Sequence, residues 1–176
     1  MEIRRATPND SPGLAKVQVD SYLATYSDIY PAAYLAHFTY DEQEQDWREW
    51  FRLNRYPFFV AITLGEVIGY GLGKPNADEV SPYESELVAL HVRKEYQRQG
   101  LGRRLISAVS EGFLTQGYES LFLWVLKENP ACGFYESLGG RLIGEKAWIN
   151  NDYFGTKIDE LAYGWLDIRN LLMSDE

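Results

Sequence analysis

The chain has 176 residues, of which 45% are hydrophobic and 24% charged, so we expect residues 1–176 to form one globular domain. The formal net charge of −9 argues against nucleic acid as a partner, because contacts to phosphates need a basic surface. The single cysteine, Cys132, excludes an internal disulfide, and with two histidines it supplies too few ligands for a zinc site, so no metal is expected.

The first third of the chain predicts one short strand followed by helices. Residues Glu2–Ala6 form the strand. Apolar residues then recur every three to five positions from Leu14 to Tyr26, which indicates a helix. Pro31 can begin a second, short helix. Residues Asp41–Arg52 are acidic early and basic late, which suits the dipole of a third helix.

The rest of the chain predicts strands interrupted by two helices. We expect turns at Gly65-Glu66 and Asn150-Asn151-Asp152 and a loop over Lys74–Tyr83. The predicted strands cover Phe58–Leu64, Val67–Leu72, Ser85–Val92, Leu121–Leu126, Arg141–Trp148 and Lys157–Trp165, and the helices cover Leu101–Gly117 and Pro130–Leu138. This order indicates one α/β domain with a mixed sheet.

A glycine-rich loop, Gln97–Arg103, separates the apolar strand that ends at Val92 from a helix. Gly100 and Gly102 lack a Cβ, so a ligand can approach the backbone where the first N–H groups of the helix point outward. Arginines in the loop add positive charge. The loop therefore suits a phosphate or pyrophosphate, although a tight turn with a solvated basic helix start fits it equally well. Neither a Walker loop nor the three-glycine dinucleotide motif is present.

The stretch from Asn129 to Gly140 predicts a capped helix after an apolar strand. Asn129 can cap the helix and Pro130 suits its first turn. Gly139 and Gly140 end it. From spacing alone, Asn129 is a cap and Tyr135 is a half-buried core residue.

Together the two stretches resemble the GNAT superfamily of N-acetyltransferases. Gln97-x-x-Gly100-x-Gly102 is similar to the family's acetyl-CoA motif, and Asn129-Pro130-Ala131 followed by Phe134-Tyr135 is similar to its second signature. The resemblance implies a mixed, mostly antiparallel sheet with two splayed parallel central strands and flanking helices, and acetyl-CoA between those strands. The cofactor-binding residues that it implies are Leu90, His91, Val92, Gln97, Arg98, Gln99, Gly100, Leu101, Gly102, Arg103 and Asn129.

The resemblance also implies transfer of an acetyl group to a primary amine of a small molecule or peptide, by direct attack in a ternary complex. Tyr135 is the candidate acid that donates to the cofactor sulfur, and Glu86 is the candidate general base. A carboxylate held in an ion pair is the other interpretation of Glu86, and many family members lack a strong base. His91 is expected to be structural. Cys132 is rejected as a nucleophile because no histidine lies near it in the sequence.

Aromatic residues of the early helices and of the last turn are candidates for the acceptor site, although each fits the core equally well. These residues are Tyr22, Tyr26, Tyr30, Trp148 and Tyr153. One departure from the family is Gly140, where many members have phenylalanine, and we expect this change to reshape the pocket beneath it.

Two alternatives to an acetyltransferase stay open. The first is a non-catalytic CoA-binding or sensory module with the same fold, and the second is a phosphate-binding domain for another nucleotide. No apolar run is long enough to span a membrane, and Met1–Arg5 lacks the apolar core of a signal peptide. We therefore expect a cytoplasmic protein without membrane contact. By analogy with family members, a homodimer is one expected state.

Overall fold

The computed structural model describes residues 1–27, 32–36, 38–53, 56–77, 82–150 and 156–173, with the backbone alone for residues 34, 148–150 and 156. The strands are β1 Glu2–Arg5, β2 Phe58–Thr63, β3 Glu66–Pro75, β4 Ser85–Val92, β5 Leu121–Leu126, β6 Arg141–Asn150 and β7 Thr156–Trp165. The helices are α1 Ser11–Tyr26, α2 Ala32–Leu35, α3 Tyr40–Leu53, α4 Leu101–Leu114 and α5 Cys132–Ser137. None of these helices is long and apolar enough to cross a membrane.

The strands of these ranges form one mixed sheet in the order β1-β2-β3-β4-β5-β7-β6. Neighbouring strands are antiparallel except β4 and β5, which run parallel. A parallel pair needs a crossover, and α4 provides it. The predicted fold class, a mostly antiparallel mixed sheet with flanking helices, is confirmed.

The two central strands separate soon after they begin. In the described sheet only Ser85 and Glu86 of β4 pair with β5. Further along, β4 carries one extra residue, Val88, between the residues that oppose Gly73 and Leu72 of β3. Such a bulge bends its strand and increases the local twist. The bend carries the rest of β4 away from β5 and opens a gap, as the predicted splay requires.

Helices cover both faces of the sheet. Val60 packs with residues of α1 and α3, whereas the next residue, Ala61, packs with residues of α4. Successive residues of a strand point to opposite faces, so α1 and α3 lie on one face and α4 on the other. Helices therefore cover both faces of β2 and β3.

Several element bounds differ from the predictions, and the first differences lie at the β2–β3 hairpin and at the end of β3. The hairpin turn is made by Leu64 and Gly65, with φ of 49° and 81°, rather than by Gly65 and Glu66. Positive φ at both central residues is the turn whose twist matches that of the flanking strands, and Glu66 is thereby freed to pair in β3. Strand β3 continues to Pro75, into the predicted loop, because Lys74 and Pro75 still oppose β4.

Further differences from the predicted bounds lie at α5 and β6. Helix α5 is shorter than predicted because Asn129–Ala131 form a turn before it, while Gly139, with φ of 79°, ends it as expected. Asn150 extends β6 rather than beginning a turn. The remainder of the predicted turn, Asn151 and Asp152, and the helix start at Pro31 lie outside the described residues.

The start of α1 is held by a buried carboxylate. Asp10 accepts hydrogen bonds from Arg4 at 2.7 and 2.8 Å and from the Thr7 backbone at 2.7 Å. Burial by itself raises the pKa of Asp10, but the bonds from Arg4 and Thr7 outweigh it, and the pKa lies below its ordinary 3.8. This stabilisation is present above the unfolded-state pKa and is lost as the pH falls through the folded-state pKa.

We therefore expect Asp10→Asn to lower the free energy of unfolding by about 2 kcal/mol at neutral pH, through lost charge-assisted hydrogen bonds. The difference from the wild type should shrink on acidification and vanish once Asp10 is protonated in both states. Urea unfolding at neutral and acidic pH measures this difference in the free energy of unfolding. Glu44→Gln, on an exposed helical pair with Arg48, should change stability by less than about 0.5 kcal/mol. Equal losses of unfolding free energy in Asp10→Asn and Glu44→Gln would contradict the stabilising role of Asp10.

Candidate active site

A cleft of about 960 Å³ lies where β4 and β5 diverge. Its walls are α1, the two strands, the loop before α4 and the start of α5. Residues predicted from the sequence that line it are Tyr22, Tyr26, Leu90, His91, Val92, Gln97, Arg98, Gly100, Leu101, Gly102, Arg103, Asn129 and Tyr135. Tertiary structure thus brings both sequence motifs to a single cavity.

One edge of β4 faces the cleft with its backbone groups. The Arg93 N–H donates to the Ile68 carbonyl of β3 at 3.0 Å. Because backbone groups alternate along a strand, those of Leu90 and Val92 point to the opposite edge, where β5 has left. The Gln97 side chain donates to the Val92 carbonyl at 2.9 Å and ties the glycine loop to the strand. The backbone of His91 faces β3 instead.

The glycine loop presents positive charge at the start of α4. Gly100 has φ of 77°, and Arg98 has φ of 60°, so the chain turns sharply before the helix. The first hydrogen bond of the helix joins the Arg104 N–H to the Gly100 carbonyl at 3.1 Å, so the preceding N–H groups have no partner within the helix. Arg98 and Arg103 are exposed and form no ion pair with any described residue. Together these groups can hold an anion.

Asn129 joins the start of α5 to α1. Its Oδ1 accepts from the Ala131 N–H at 2.8 Å, and its Nδ2 donates to the Tyr26 hydroxyl oxygen at 3.2 Å. Asn129 therefore lines the cleft and stabilises the turn before α5, whereas the predicted N-cap position is taken by Ala131, which makes no side-chain capping bond. Burial, assisted by the nearby Tyr22, raises the pKa of Tyr26 to about 12, so its hydroxyl stays protonated at neutral pH.

Tyr135 lies at the base of the cleft, 7% exposed. Its ring packs 6.3 Å from Tyr163 and 6.5 Å from Trp165, between ring centroids. Its hydroxyl has no hydrogen-bond partner among the described residues. Burial, followed by the effect of Tyr26, raises the pKa of Tyr135 well above its ordinary value. The hydroxyl is therefore a protonated donor that a bound molecule can use.

Two predicted residues are not brought to the cleft. Glu86 lies where β4 still pairs with β5, and the Lys74 ammonium of β3 stands 3.0 Å from its Oε2. Gln99 donates to the Glu95 carbonyl at 3.0 Å and does not line the cavity. Of the remaining acceptor candidates, Tyr30 and Tyr153 lie outside the described residues, and for Trp148 only the strand position in β6, opposite Ile158, is described.

His91 and Cys132 lack the features of a base and a nucleophile. The His91 ring stands 6.0 Å from Tyr22 and 5.2 Å from Tyr70, and burial lowers its pKa to about 4, so the neutral ring binds a proton too weakly to be an effective general base at physiological pH. Burial raises the pKa of the Cys132 thiol, which disfavours the reactive thiolate.

The cleft is also lined by residues that were not predicted, and two of them can interact with a cation. Trp124 of β5 and Glu160 of β7 both border it. Glu160 Oε2 lies 3.3 Å from the ammonium of Lys146. The sequence places Glu160 in a strand, but the side of the sheet that it faces depends on how β7 pairs with β5. The available signal is a carboxylate inside a predicted strand, where Asp159-Glu160 is followed by Leu161 and Ala162.

The glycine at position 140 also has a structural explanation. A Cβ added there would lie 2.7 Å from Cζ2 of Trp165 and 2.8 Å from the Tyr135 carbonyl oxygen. The Trp165 indole donates to the Leu138 carbonyl at 2.9 Å. The tryptophan ring of β7 thus fills the space beside α5 and leaves no room for a side chain at Gly140.

A cleft between two splayed parallel strands, with a cationic glycine loop at one end, defines a site for a long anionic ligand. Residues 20–140 match the acetyltransferase (GNAT) family. The uncharacterized N-acetyltransferase YuaI of Bacillus subtilis is 34% identical over 169 residues, covering 96% of this chain and 95% of that one. The chain belongs to the acetyltransferase (GNAT) family and is an N-acetyltransferase.

Two other proteins show the range of this similarity. The [ribosomal protein bS18]-alanine N-acetyltransferase of Escherichia coli is 31% identical over 103 residues, which cover 58% of this chain and 64% of that protein. The structure of yncA, a putative acetyltransferase from Salmonella typhimurium with its cofactor acetyl-CoA, matches with a TM-score of 0.71 at 22% identity, covering 95% of this chain and 94% of that one. This structural match supports the fold.

Proposed function

We propose that the protein transfers an acetyl group from acetyl-CoA to a primary amine of a small molecule or peptide, with both substrates bound together. The observation that carries this proposal is the cleft, which unites the free edge of β4, the glycine loop and Tyr135. Holding both reactants in one cavity removes most of the entropic cost of their encounter. The similarity to yncA, whose structure contains acetyl-CoA, supports the choice of co-substrate.

Each part of the cleft has a separate role in this proposal. The N–H groups at the start of α4, with Arg98 and Arg103, bind the pyrophosphate. Leu90 and Val92 of β4 hydrogen-bond the pantetheine arm through their backbone groups, as a missing strand would. The same strand edge supplies an N–H for the carbonyl oxygen of the acetyl group as it gains negative charge.

Tyr135 assists departure of the thiolate. The neutral amine attacks the thioester carbonyl, the C–N bond forms and the C–S bond breaks, and the thiolate receives a hydrogen bond or a proton from the Tyr135 hydroxyl. The proton that the amine nitrogen loses passes to water, which returns one to Tyr135 if the phenol has given its own to the thiolate. The raised pKa of this phenol keeps it protonated and makes hydrogen bonding the larger part of its contribution. Its side chain is held by the rings around it, so the donor is already oriented.

Calorimetric titration with acetyl-CoA tests the proposal. We expect saturable binding of acetyl-CoA and none of ATP or NAD at the same concentrations. Arg98→Glu with Arg103→Glu should weaken binding at least tenfold, with a larger loss at low salt. Arg48→Glu with Arg52→Glu, which makes the same charge change on α3, should leave it unchanged.

Thiol release in the presence of amines then tests the reaction. Turnover with a primary amine supports the transferase. Tight acetyl-CoA binding without turnover on any amine would favour the non-catalytic module, and absence of acetyl-CoA binding would refute the proposal.

A further inference from the structure

The ammonium group of Lys146 lies where an aromatic face meets a carboxylate. Its Nζ stands 3.9 Å from the centroid of the Trp124 ring and 3.3 Å from Glu160 Oε2. Three adjacent strands create this arrangement, because Trp124 belongs to β5, Glu160 to β7 and Lys146 to β6. An aromatic face and a carboxylate are the two groups that attract an ammonium ion most directly.

Both partners of this ammonium line the cleft, whereas Lys146 itself is not one of the lining residues. Trp124 and Glu160 line the cavity. The Glu160 side chain is 18% exposed and that of Lys146 is 42% exposed. An ion pair with one well-exposed member is weak, and a long lysine side chain loses little by returning to water. A second ammonium ion can therefore take the place of the Lys146 ammonium.

The position of Glu160 relates this pair to the reacting end of the cleft. The charge of Glu160 is one of the influences that raise the pKa of Tyr26, after burial and Tyr22. The Tyr26 hydroxyl accepts from Asn129, which precedes the helix that carries Tyr135. Glu160 thus stands next to the group of side chains where the proposed function puts the thioester.

We propose that Trp124 and Glu160 form the subsite that binds the ammonium group of the acceptor, and that Lys146 occupies this subsite until the acceptor displaces it. This inference rests on the proposed function. The occupant that the structure displays is an unbranched alkyl chain ending in a primary ammonium, so the acceptor belongs to the alkylamine class. A carboxylate next to the amine would meet Glu160, which disfavours free α-amino acids.

Kinetics with n-pentylamine as acceptor, at saturating acetyl-CoA, test the subsite. Lys146→Met keeps an unbranched chain over Trp124 but removes the charge, and we expect KM for the amine to fall three- to tenfold with kcat nearly unchanged. Glu160→Gln should raise KM at least tenfold. Lys146→Arg keeps a competing cation and should behave like the wild type. Lys127→Met, which removes an exposed lysine paired with Glu145, is the matched control and should change nothing.

Calorimetry of n-pentylammonium with the CoA-saturated protein makes the test independent of turnover. Tighter binding in Lys146→Met and lost binding in Glu160→Gln would support the subsite even if no amine is acetylated, in which case the proposed function alone fails. If amines are acetylated but Lys146→Met binds no more tightly than the wild type, the subsite alone is wrong. Undetectable binding in every variant, including Lys146→Met, also overturns it.

Discussion

Replacing Gly102 with leucine is expected to weaken acetyl-CoA binding at least 100-fold, about 2.7 kcal/mol. Gly102 lies in the first turn of α4 and lines the cleft. An added Cβ would lie 3.2 Å from Cζ of Phe134, so there is no free space between the two helix starts. A longer side chain must displace the Phe134 ring or project into the cleft beside the N–H groups to which we assign the pyrophosphate. Calorimetric titration measures the loss.

Gly102→Ala distinguishes an effect on acetyl-CoA binding from an effect on the stability of the fold. Alanine favours a helix over glycine by up to about 1 kcal/mol, so this variant should be at least as stable as the wild type, apart from a small adjustment of Phe134. We expect it to bind acetyl-CoA several-fold more weakly. Thermal unfolding of both variants shows whether the fold is retained. A folded Gly102→Leu protein with wild-type affinity would contradict the placement of the pyrophosphate at this loop.

Tyr135→Phe is expected to lower kcat about 100-fold, the lower end of the usual range for a proton donor, while the affinity for acetyl-CoA stays within about threefold. The variant removes only the hydroxyl group, which has no hydrogen-bond partner among the described residues, so the stability of the fold should change little. Because the pKa of Tyr135 is raised above 10.0, loss of its proton should not reduce wild-type kcat below about pH 10. Steady-state rates across this pH range, with calorimetry for binding, check both statements.

Tyr163→Phe provides the matched control. The rings of Tyr163 and Tyr135 are 6.3 Å apart, but the Tyr163 hydroxyl donates to Glu136 at 2.7 Å, and Tyr163 does not line the cleft. This variant should keep its kcat and lose about 1 kcal/mol of stability through the missing hydrogen bond. A Tyr135→Phe enzyme that turns over at the wild-type rate would remove the catalytic role from Tyr135 and leave it as a core residue.

Most elements and the turns around the two motifs could be predicted from the sequence because local chemistry determines them, whereas the link of these motifs to acetyl-CoA came from the resemblance to the GNAT superfamily. Apolar periodicity predicts the strands and long helices, and the Gly100–Gly102 loop needs only its own backbone to turn. Asn129 caps the turn before α5 through an atom two residues away. Such interactions span a few residues, so the sequence displays both partners side by side. The bounds of the elements depend also on pairing across the sheet, which extends β3 to Pro75.

The acceptor end of the cleft was decided by tertiary structure. Glu86 and Glu160 are both glutamates in apolar strands, and nothing local separates them. Glu86 lies before β4 leaves β5 and is opposite Lys74, whereas Glu160 lies on β7 beside the open gap. The bulge at Val88 and the pairing of β7 with β5 decide which carboxylate meets the cleft. The sequence by itself determined the order of helices and strands and the glycine loop, because those depend on short-range contacts, and its resemblance to the GNAT superfamily supplied the sheet arrangement. Only long-range strand pairing could bring Trp124, Lys146 and Glu160 together.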